Sequence, residues 1–342
     1  MPLDDDFTAY IFARMVDHEL YMRRCLQLAK NGLGTTYPNP LVGCVIVLEN
    51  QIIAEGWHRK SGTPHAEVNA INAARTYGYT EQDFKKGTLY VNLEPCSHTG
   101  KTPPCADRII SENFKKVVVG TLDPHAKVAG KGIKKLTDAG IAVKTGVLPE
   151  LCNELNKRFF TFHREKRPYI ILKWAESEDG FIAPNTRPSS RPVWITNKRS
   201  RQLSHKLRSD EHAILIGAYT FIQDSPKLST RDWYGTEAQK FVATDGKRNL
   251  ELPPEFIPID DSLGMEEMLL FLYDKGIQSI IIEGGTRTIQ RFIKSGIWDE
   301  AHRFIGTTKL LKDGVKAPEL THQQLMNSTI INNDLLKIYS KK

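Results

Sequence analysis

The N-terminal half is organised around two short stretches, 65–67 (HAE) and 95–105 (PCSHTGKTPPC). They supply one imidazole, from His65, and two thiolates, from Cys96 and Cys105, and all three groups are common zinc ligands. Three protein ligands leave the fourth corner of a tetrahedral zinc ion open for water, which is the arrangement of a catalytic site. Zinc lowers the pKa of such a water to roughly 7, so that hydroxide is available at neutral pH.

Glu67 is not needed as a ligand and follows His65 by two residues, within reach of the same water. A His-x-Glu sequence followed by Pro-Cys and a second Cys is the signature of zinc nucleobase deaminases, in which the Glu is the acid/base. The alternative is a closed structural zinc site, which needs a fourth Cys or His at short spacing. His98 is the nearest candidate, and Glu67 would then have no role. We therefore favour a catalytic zinc site with Glu67 as the proton shuttle.

Composition and length indicate an ordinary globular protein with two domains. The chain has 342 residues, of which 40% are hydrophobic and 25% are charged. No apolar run approaches the ~18 residues that a membrane helix needs, and the acidic start does not resemble a signal peptide. The five cysteines are an odd number and two are assigned to the metal, so we expect reduced thiols and a cytoplasmic location.

The basic residues are dispersed along the chain, although the net charge is +7. A basic stripe interleaved with aromatic residues would indicate nucleic-acid binding, and none is visible in the sequence. A phosphorylated small-molecule substrate or cofactor accounts for several arginines equally well. We therefore expect a small-molecule substrate, with no nucleic-acid or membrane partner.

Residue periodicity in the first half predicts alternating strands and helices. The predicted strands are 44–48, 52–55, 88–93 and 117–120, the first two forming a hairpin. The predicted helices are 17–30, 66–77 and 130–139. We also expect a helix to begin at Cys96, where the helix dipole would stabilise a thiolate. This alternation predicts an α/β/α layered domain.

The second half continues as an α/β chain after a predicted linker helix. We place a deaminase domain at 1–147, the linker helix at 148–168 and a second domain at 169–342. The predicted strands are 169–174, 213–217, 241–244 and 279–283, and the predicted helices are 197–208, 218–223, 265–275 and 287–295. A Gly284-Gly285 turn between a strand and a helix could offer backbone N–H groups to a pyrophosphate. The three spaced glycines of the dinucleotide fingerprint are absent.

Four segments of the first half resemble the deaminase half of the bifunctional riboflavin-biosynthesis deaminase/reductases. They are 36–47 (TYPNPLVGCVIV), 65–70 (HAEVNA), 93–105 (LEPCSHTGKTPPC) and 123–133 (DPHAKVAGKGI). Eight residues separate the two cysteines, as in that family, whereas other deaminases usually have two. The resemblance implies zinc on His65, Cys96 and Cys105, with Glu67 as proton shuttle. It also implies contacts with the pyrimidine and ribose phosphate of the substrate from Asn39, His98, Lys101 and Asp123.

Segments of the second half resemble the reductase half of the same family, which has a dihydrofolate-reductase-like fold. They are 173–183 (KWAESEDGFIA), 193–196 (VWIT), 207–231 and 282–288 (IEGGTRT). The resemblance implies that NADPH is held by Ala175, Trp194, Thr220, Asp224 and Gly285. It implies that the substrate is held by Lys173, Arg208, Leu228, Arg231 and Glu283. The two arginines would bind its phosphate, and Lys173 would polarise the ring-opened imine or aldehyde.

One departure from the family concerns the reductase half. The resemblance implies an apolar strand ending in Asp-Ser between Arg231 and Phe241. Only 232–240 separate these two residues, so we expect that this strand is missing from the chain. Such a loss would remove part of the site for the adenosine side of NADPH.

Three interpretations follow. The first is a two-step enzyme of riboflavin biosynthesis: zinc-hydroxide deamination of 2,5-diamino-6-(5-phosphoribosylamino)pyrimidin-4-one, then NADPH reduction of the ribosyl chain to ribityl. The second is a deaminase of RNA or DNA with a binding module, and the third is a deaminase with an inactive reductase-like half. We favour the first, and we expect a homo-oligomer, either a dimer or a tetramer.

Overall fold

The chain forms two compact units, the first ending at Phe160 and the second running from Thr161 to Lys342. A computed structural model describes residues 17–98, 103–124, 129–185, 193–245 and 250–342. The finer domain limits of 1–147, 148–168 and 169–342 stay a prediction. None of the helices within these ranges has the length and apolar character that crossing a bilayer requires.

The first unit is built on a mixed five-stranded sheet. Its strands are β1 (Gly43–Leu48), β2 (Gln51–Trp57), β3 (Thr88–Leu93), β4 (Lys116–Thr121) and β5 (Ala142–Lys144), in the order β2-β1-β3-β4-β5. β1 is antiparallel to both neighbours, whereas β3, β4 and β5 are parallel. The predicted hairpin is confirmed: Glu49 and Asn50 form its turn with φ of 50° and 61°. Positive φ at both central residues is typical of a tight hairpin turn.

Helices cover both faces of this sheet. They are α1 (His18–Ala29), α2 (Ala66–Thr76), α3 (Glu81–Lys86), α4 (Cys105–Ser111), α5 (Lys131–Asp138) and α6 (Pro149–Leu155), with a 3-10 turn at Lys30–Gly32. Successive strand residues point to opposite faces, so Ile46 packs with α2 to α5, while Val45 packs with α1 and α6. The predicted α/β/α layering is therefore confirmed.

Two sequence predictions about helices near the site were wrong. Cys96 does not begin a helix: the helix starts at Cys105, after Pro103 and Pro104. Proline is tolerated at the first turn of a helix but not in its interior, which delays the start. The linker is also two helices, α6 and α7 (Lys157–Glu165), separated by Asn156.

The second unit is built on an eight-stranded sheet, with β7 and β13 forming a separate two-stranded ribbon. Its strands are β6 (Tyr169–Ser177), β7 (Phe181–Ala183), β8 (Ala213–Gly217), β9 (Gln239–Thr244), β10 (Phe256–Asp260), β11 (Ser279–Ile282), β12 (Glu300–Gly306), β13 (Val315–Lys316), β14 (Gln323–Ile331) and β15 (Asp334–Lys341). The large sheet has the order β10-β9-β8-β11-β6-β12-β15-β14. The first six strands in that order are parallel, and β15 and β14 form an antiparallel edge.

Helices also pack on both faces of this sheet. They are α8 (Lys198–Asp210), α9 (Ala218–Asp224), α10 (Met265–Asp274) and α11 (Thr286–Ser295). α10 and α11 cover the face that carries Leu172 and Ile280, and α9 lies on the face of Ile214 and Ile281. The parallel strands therefore end at one common edge, where the loops to the following helices begin.

As expected, the described residues between Arg231 and Gln239 contain no strand. The next strand is β9, which confirms the strand predicted at 241–244; it pairs in parallel with β8 on one side and β10 on the other and is followed by Asp245. Residues 232–238 are only the connection to it.

Candidate active sites

Three side chains of the first unit converge as a metal-binding group. The ligand atoms of His65, Cys96 and Cys105 all lie within 4.8 Å of one another. His65 Nδ1 is 3.6 Å from the Cys96 Sγ and 3.3 Å from the Cys105 Sγ. His65 is the residue just before α2, and Cys105 is the first residue of α4. His98 is exposed and is not part of this group, which argues against a closed four-ligand site.

The electrostatics of this group suit zinc. The Cys105 backbone N–H donates to Cys96 Sγ at 3.3 Å. Hydrogen bonds from the Cys105 thiol and from His65 lower the pKa of Cys96 to about 4, although burial opposes this. The thiolate is the form of cysteine that binds metals, and two sulfurs with one imidazole are a usual zinc ligand set. The residues present therefore fit zinc.

Glu67 lies in the first turn of α2, beside the three ligands. Its side chain is buried, with 3% of the residue exposed. Its Oε2 atom has no hydrogen-bonding partner among the described residues. Burial raises the pKa of Glu67. A carboxylate with a raised pKa and an uncommitted oxygen is suited to accepting a proton and returning it.

Asn39 is oriented by a histidine that the sequence analysis missed. Asn39 Nδ2 is 3.0 Å from His58 Nε2, and His58 Nδ1 is 3.2 Å from the Pro64 carbonyl oxygen. A carbonyl oxygen only accepts, so Nδ1 carries the proton and Nε2 accepts from the Asn39 amide. The His58 ring also packs edge-on against His65, with centroids 5.1 Å apart. A lone histidine outside the zinc motif gave no signal in the sequence.

Asp123 follows β4 at the same sheet edge as the segment that leads from β3 to Cys96. It is buried, and its backbone N–H donates to Glu94 Oε2 at 3.3 Å. Glu94 also accepts from the backbone N–H groups of Gly130 and Gly132, both at 2.9 Å. Glu94 therefore ties the Asp123 loop to the segment that carries Cys96. Sequence reasoning missed this role.

His98 is described and exposed, whereas Lys101 lies outside the described residues. The structure therefore places three of the four predicted substrate residues, Asn39, His98 and Asp123, on loops of the first unit. Their contacts with a substrate stay a prediction.

In the second unit, a buried ion-pair cluster lies at the carboxyl end of the parallel strands. Glu283 directly follows β11 and accepts from Arg208 at 3.0 and 2.6 Å. Lys173 Nζ on β6 is 3.8 Å from the same carboxylate. Burial alone would raise the pKa of Glu283, but Arg208 and Lys173 outweigh it and lower the pKa to about 2. Burial lowers the pKa of Lys173, and Glu283 opposes that shift.

Arg231 lies next to this cluster and is exposed. Its Nη1 donates to Ser229 Oγ at 3.3 Å, and Arg208 Nη1 donates to the Ser229 carbonyl at 3.2 Å. Leu228 is buried and takes a φ of 49°. The structure therefore brings the four charged substrate residues of the prediction close together, and it leaves Arg231 as the arginine open to solvent.

His205 is a second residue that the sequence analysis missed. Its Nδ1 accepts the backbone N–H of Asp232 at 3.0 Å, which fixes the loop after Arg231. Burial, with the charges of Arg208 and Arg231, lowers the pKa of His205 to about 4. The available signal was its position three residues before Arg208, which places both side chains on one helix face.

The turns after β8 and β11 adjoin. Gly285, with a φ of 24°, precedes α11, and a Cβ added there would lie 3.0 Å from Thr220 Oγ1. A Cβ on Gly284 would lie 2.5 Å from the Ile216 Cα. Ligands of open α/β sheets bind beyond the carboxyl ends of the strands, and a helix N-terminus favours phosphate. The closely packed turn at Gly284 and Gly285 therefore fits a nucleotide cofactor.

The other three predicted cofactor residues lie in separate segments of the second unit. Ala175 lies in β6, Asp224 ends α9, and Trp194 is 49% exposed with the Arg201 guanidinium stacked 4.3 Å from its ring centre. Thr220 and Gly285 are brought together, and the cofactor contacts of the other three stay a prediction.

Comparison with known proteins defines the class to which the two units belong. Residues 15–121 match the family model of the cytidine and deoxycytidylate deaminase zinc-binding region. Residues 168–338 match that of the RibD C-terminal domain. The class is thus a zinc deaminase joined to a reductase of the RibD type.

Relatives that match over most of their length define the family more closely. The riboflavin biosynthesis protein RibD of Aquifex aeolicus is 38% identical, over 94% of each chain. RibD of Bacillus amyloliquefaciens is 37% identical over 88% of this chain and 87% of its own. A Thermotoga maritima diaminohydroxyphosphoribosylaminopyrimidine deaminase/5-amino-6-(5-phosphoribosylamino)uracil reductase has a similar crystal structure. Its TM-score is 0.85 at 34% identity, with 95% and 99% of the two chains covered.

The chain belongs to the RibD family of riboflavin-biosynthesis enzymes. It is a bifunctional deaminase and reductase that uses zinc and NADPH. The predicted fold class is confirmed, with a cytidine-deaminase-like first domain and a dihydrofolate-reductase-like second domain. Nothing in these comparisons favours a nucleic-acid deaminase or an inactive second half.

Proposed function

We propose that the first unit deaminates 2,5-diamino-6-(5-phosphoribosylamino)pyrimidin-4-one and that the second unit reduces the ribosyl chain of the product to ribityl. The observation that carries the proposal is the convergence of His65, Cys96 and Cys105 beside the buried, uncommitted oxygen of Glu67. The similar Thermotoga protein is named for both reactions, which supports the same order of steps.

In the deaminase, bound zinc supplies the Lewis acidity that makes a hydrolytic water reactive near neutral pH. Glu67 takes a proton from that water and delivers it to the substrate as the amino group leaves. Asn39 and Asp123 hold the pyrimidine, with the amide of Asn39 oriented by His58. His98 and Lys101 contact the ribose phosphate side of the substrate.

In the reductase, NADPH supplies a hydride to the ribosyl carbon. Lys173 Nζ polarises the ring-opened imine or aldehyde, and Glu283 holds Lys173 in place. The charge of Arg208 is already balanced by Glu283, so the exposed Arg231 is the principal phosphate ligand. Leu228 packs beneath the substrate.

NADPH would be held at the glycine turn before α11. The residues proposed to hold it are Ala175, Trp194, Thr220, Asp224 and Gly285. The adjacency of Thr220 and Gly285 supports this placement, because both flank the helix N-terminus that would face the cofactor phosphates.

The location and assembly of the protein are part of the proposal. None of the five cysteines, all of which are described, forms a disulfide, which supports a reducing cytoplasmic environment. The edge strand β14 exposes Leu325, Met326 and Ile330 by 51, 61 and 76%. An apolar edge strand invites pairing with another chain, which supports a homo-oligomer, either a dimer or a tetramer. Light scattering on the purified protein measures this mass directly.

Mass spectrometry of the products tests the proposed function. Without NADPH, the pyrimidine substrate should exchange one amino group for oxygen and release ammonia. With NADPH, the same mixture should proceed to the ribityl product. A substrate that keeps its amino group under both conditions would contradict the deaminase assignment, and a deaminated product that is never reduced would contradict the reductase assignment.

A further inference from the structure

Two buried asparagines hold the segment that carries Asn39 into β1. The Leu41 N–H donates to Asn156 Oδ1 at 2.8 Å, and the Leu41 carbonyl accepts from Asn156 Nδ2 at 2.9 Å. The same carbonyl accepts from Asn92 Nδ2 at 3.0 Å, and Asn92 Oδ1 accepts the Gly43 N–H at 2.7 Å. Asn92 is fully buried, and Asn156 is 2% exposed.

Asn156 acts on Leu41 as a neighbouring strand would. β1 pairs with β3 only from Cys44 onward, so the backbone of Leu41 lies before the start of this ladder. A side-chain amide offers a carbonyl acceptor and N–H donors, so it can replace both the acceptor and the donor of a peptide bond. Leu41 is buried, and a buried backbone group without a partner is costly, so the two bonds to Asn156 fix this segment.

The position of Leu41 determines that of Asn39. Only Pro40 separates them, and proline both locks its own φ and restricts the residue before it. The turn before Pro40 is closed by the Asn39 N–H, which donates to the Thr36 carbonyl at 2.7 Å. Because the backbone between the two residues is restricted in this way, a displacement of Leu41 also displaces the Asn39 side chain.

We propose that Asn156 is a positioning residue of the deaminase, which holds Leu41 so that Asn39 presents its amide to the pyrimidine. This inference rests on the proposed contact between Asn39 and the substrate. Asn156 lies between α6 and α7, beyond residue 147, where we expected the deaminase domain to end. The residues that shape the deaminase site thus extend into the helical segment that precedes the second unit.

The test is Asn156→Asp in the full chain. Aspartate keeps the size and the acceptor for the Leu41 N–H, but it puts an oxygen in place of the donor to the Leu41 carbonyl. We expect the deaminase KM to rise about 10-fold, with kcat changed by less than about 3-fold, because the loop supports binding rather than proton transfer. Zinc content and NADPH oxidation with the deaminated intermediate should equal those of the unmodified protein.

Asn153→Asp is the matched control on α6. Asn153 Oδ1 accepts from Thr121 Oγ1 at 3.0 Å, and aspartate retains that acceptor, so the KM should stay unchanged. Asn156→Ala is measured beside it, because it removes both bonds without burying a charge, and it should raise the KM similarly.

The possible results distinguish a positioning role of Asn156 from a purely structural one. A raised KM with full zinc content in either Asn156 variant supports the positioning role. A lower melting temperature with an unchanged KM in both variants would overturn it, as would a loss of deamination that only follows a loss of zinc. Failure of the unmodified protein to deaminate would instead contradict the proposed function.

Discussion

The deaminase and reductase sites are assembled in different ways. The deaminase takes its metal ligands and its acid/base from two short motifs, in which the zinc chemistry constrains the residue types of these four positions. The reductase takes Lys173, Arg208 and Glu283 from separate elements, and these charges are committed to one another. A site made of metal ligands can therefore be predicted from the sequence. A site made of ion pairs between distant residues can be identified only once the fold is known.

The largest effect should come from removing a metal ligand. Replacing Cys96 by Ser should abolish both zinc binding and deamination, because three ligands are the minimum of a catalytic site. Metal analysis should find about one zinc per chain in the unmodified protein and almost none in the variant. NADPH oxidation in the same preparation is the control and should persist. Undiminished zinc in Cys96→Ser would rule the site out.

Glu67→Gln should separate metal binding from chemistry. The amide has the size of the carboxylate but cannot cycle a proton, so kcat for deamination should fall by about 10²–10⁴-fold. Zinc content should stay unchanged, because Glu67 is not a ligand. A variant that turns over at the normal rate would make Glu67 a structural carboxylate only.

The two arginines of the reductase should behave differently. Arg231→Ala should lower kcat/KM by roughly 10- to 150-fold, the equivalent of a charge-assisted contact, without loss of stability, since its side chain is exposed. Arg208→Ala should also destabilise the second unit by about 3–5 kcal/mol, because it strips a buried carboxylate of its bidentate partner. Thermal unfolding and NADPH oxidation measure the two effects. Equal stability of the variants would contradict the buried pair.

The smallest expected effect is on the pH dependence of stability. The pKa of His205 is about 4 in the folded protein and roughly 6.5 in an unfolded chain. Its contribution to stability is therefore complete above pH ~6.5 and is lost as the pH falls toward 4. His205→Gln keeps an acceptor for the Asp232 N–H, so its melting temperature should decline less steeply between pH 7 and 5. His212, whose pKa is also lowered to about 4 by burial, should preserve part of the decline. Identical slopes would contradict this assignment.

Sequence reasoning worked best where one residue type is required by chemistry or by local geometry. The hairpin at Glu49 and Asn50 is a local feature and is confirmed. The first helix, predicted from residue 17, begins at His18, and the Asp17 side chain caps it by accepting from two backbone N–H groups. The strands β12, β14 and β15 escaped prediction, since their stability depends on pairing along the sheet rather than on local pattern.

Positioning residues were missed for a related reason. His58, Glu94 and Asn156 all act on the backbone or side chain of a residue distant in sequence. A buried histidine or asparagine has no sequence pattern that separates such a role from an ordinary surface position. Their partners become visible only when the fold brings β1, β3 and the helices after β5 together.

The most direct test of two independent, sequential sites is complementation in solution. The first substrate and NADPH are supplied to Glu67→Gln, to Lys173→Ala, and to an equal mixture of both, and the products are followed by mass spectrometry. We predict unchanged substrate with the first variant, accumulated deaminated intermediate with the second, and ribityl product only in the mixture. A mixture that stops at the deaminated intermediate, or a Lys173→Ala protein that forms ribityl product alone, would contradict the account.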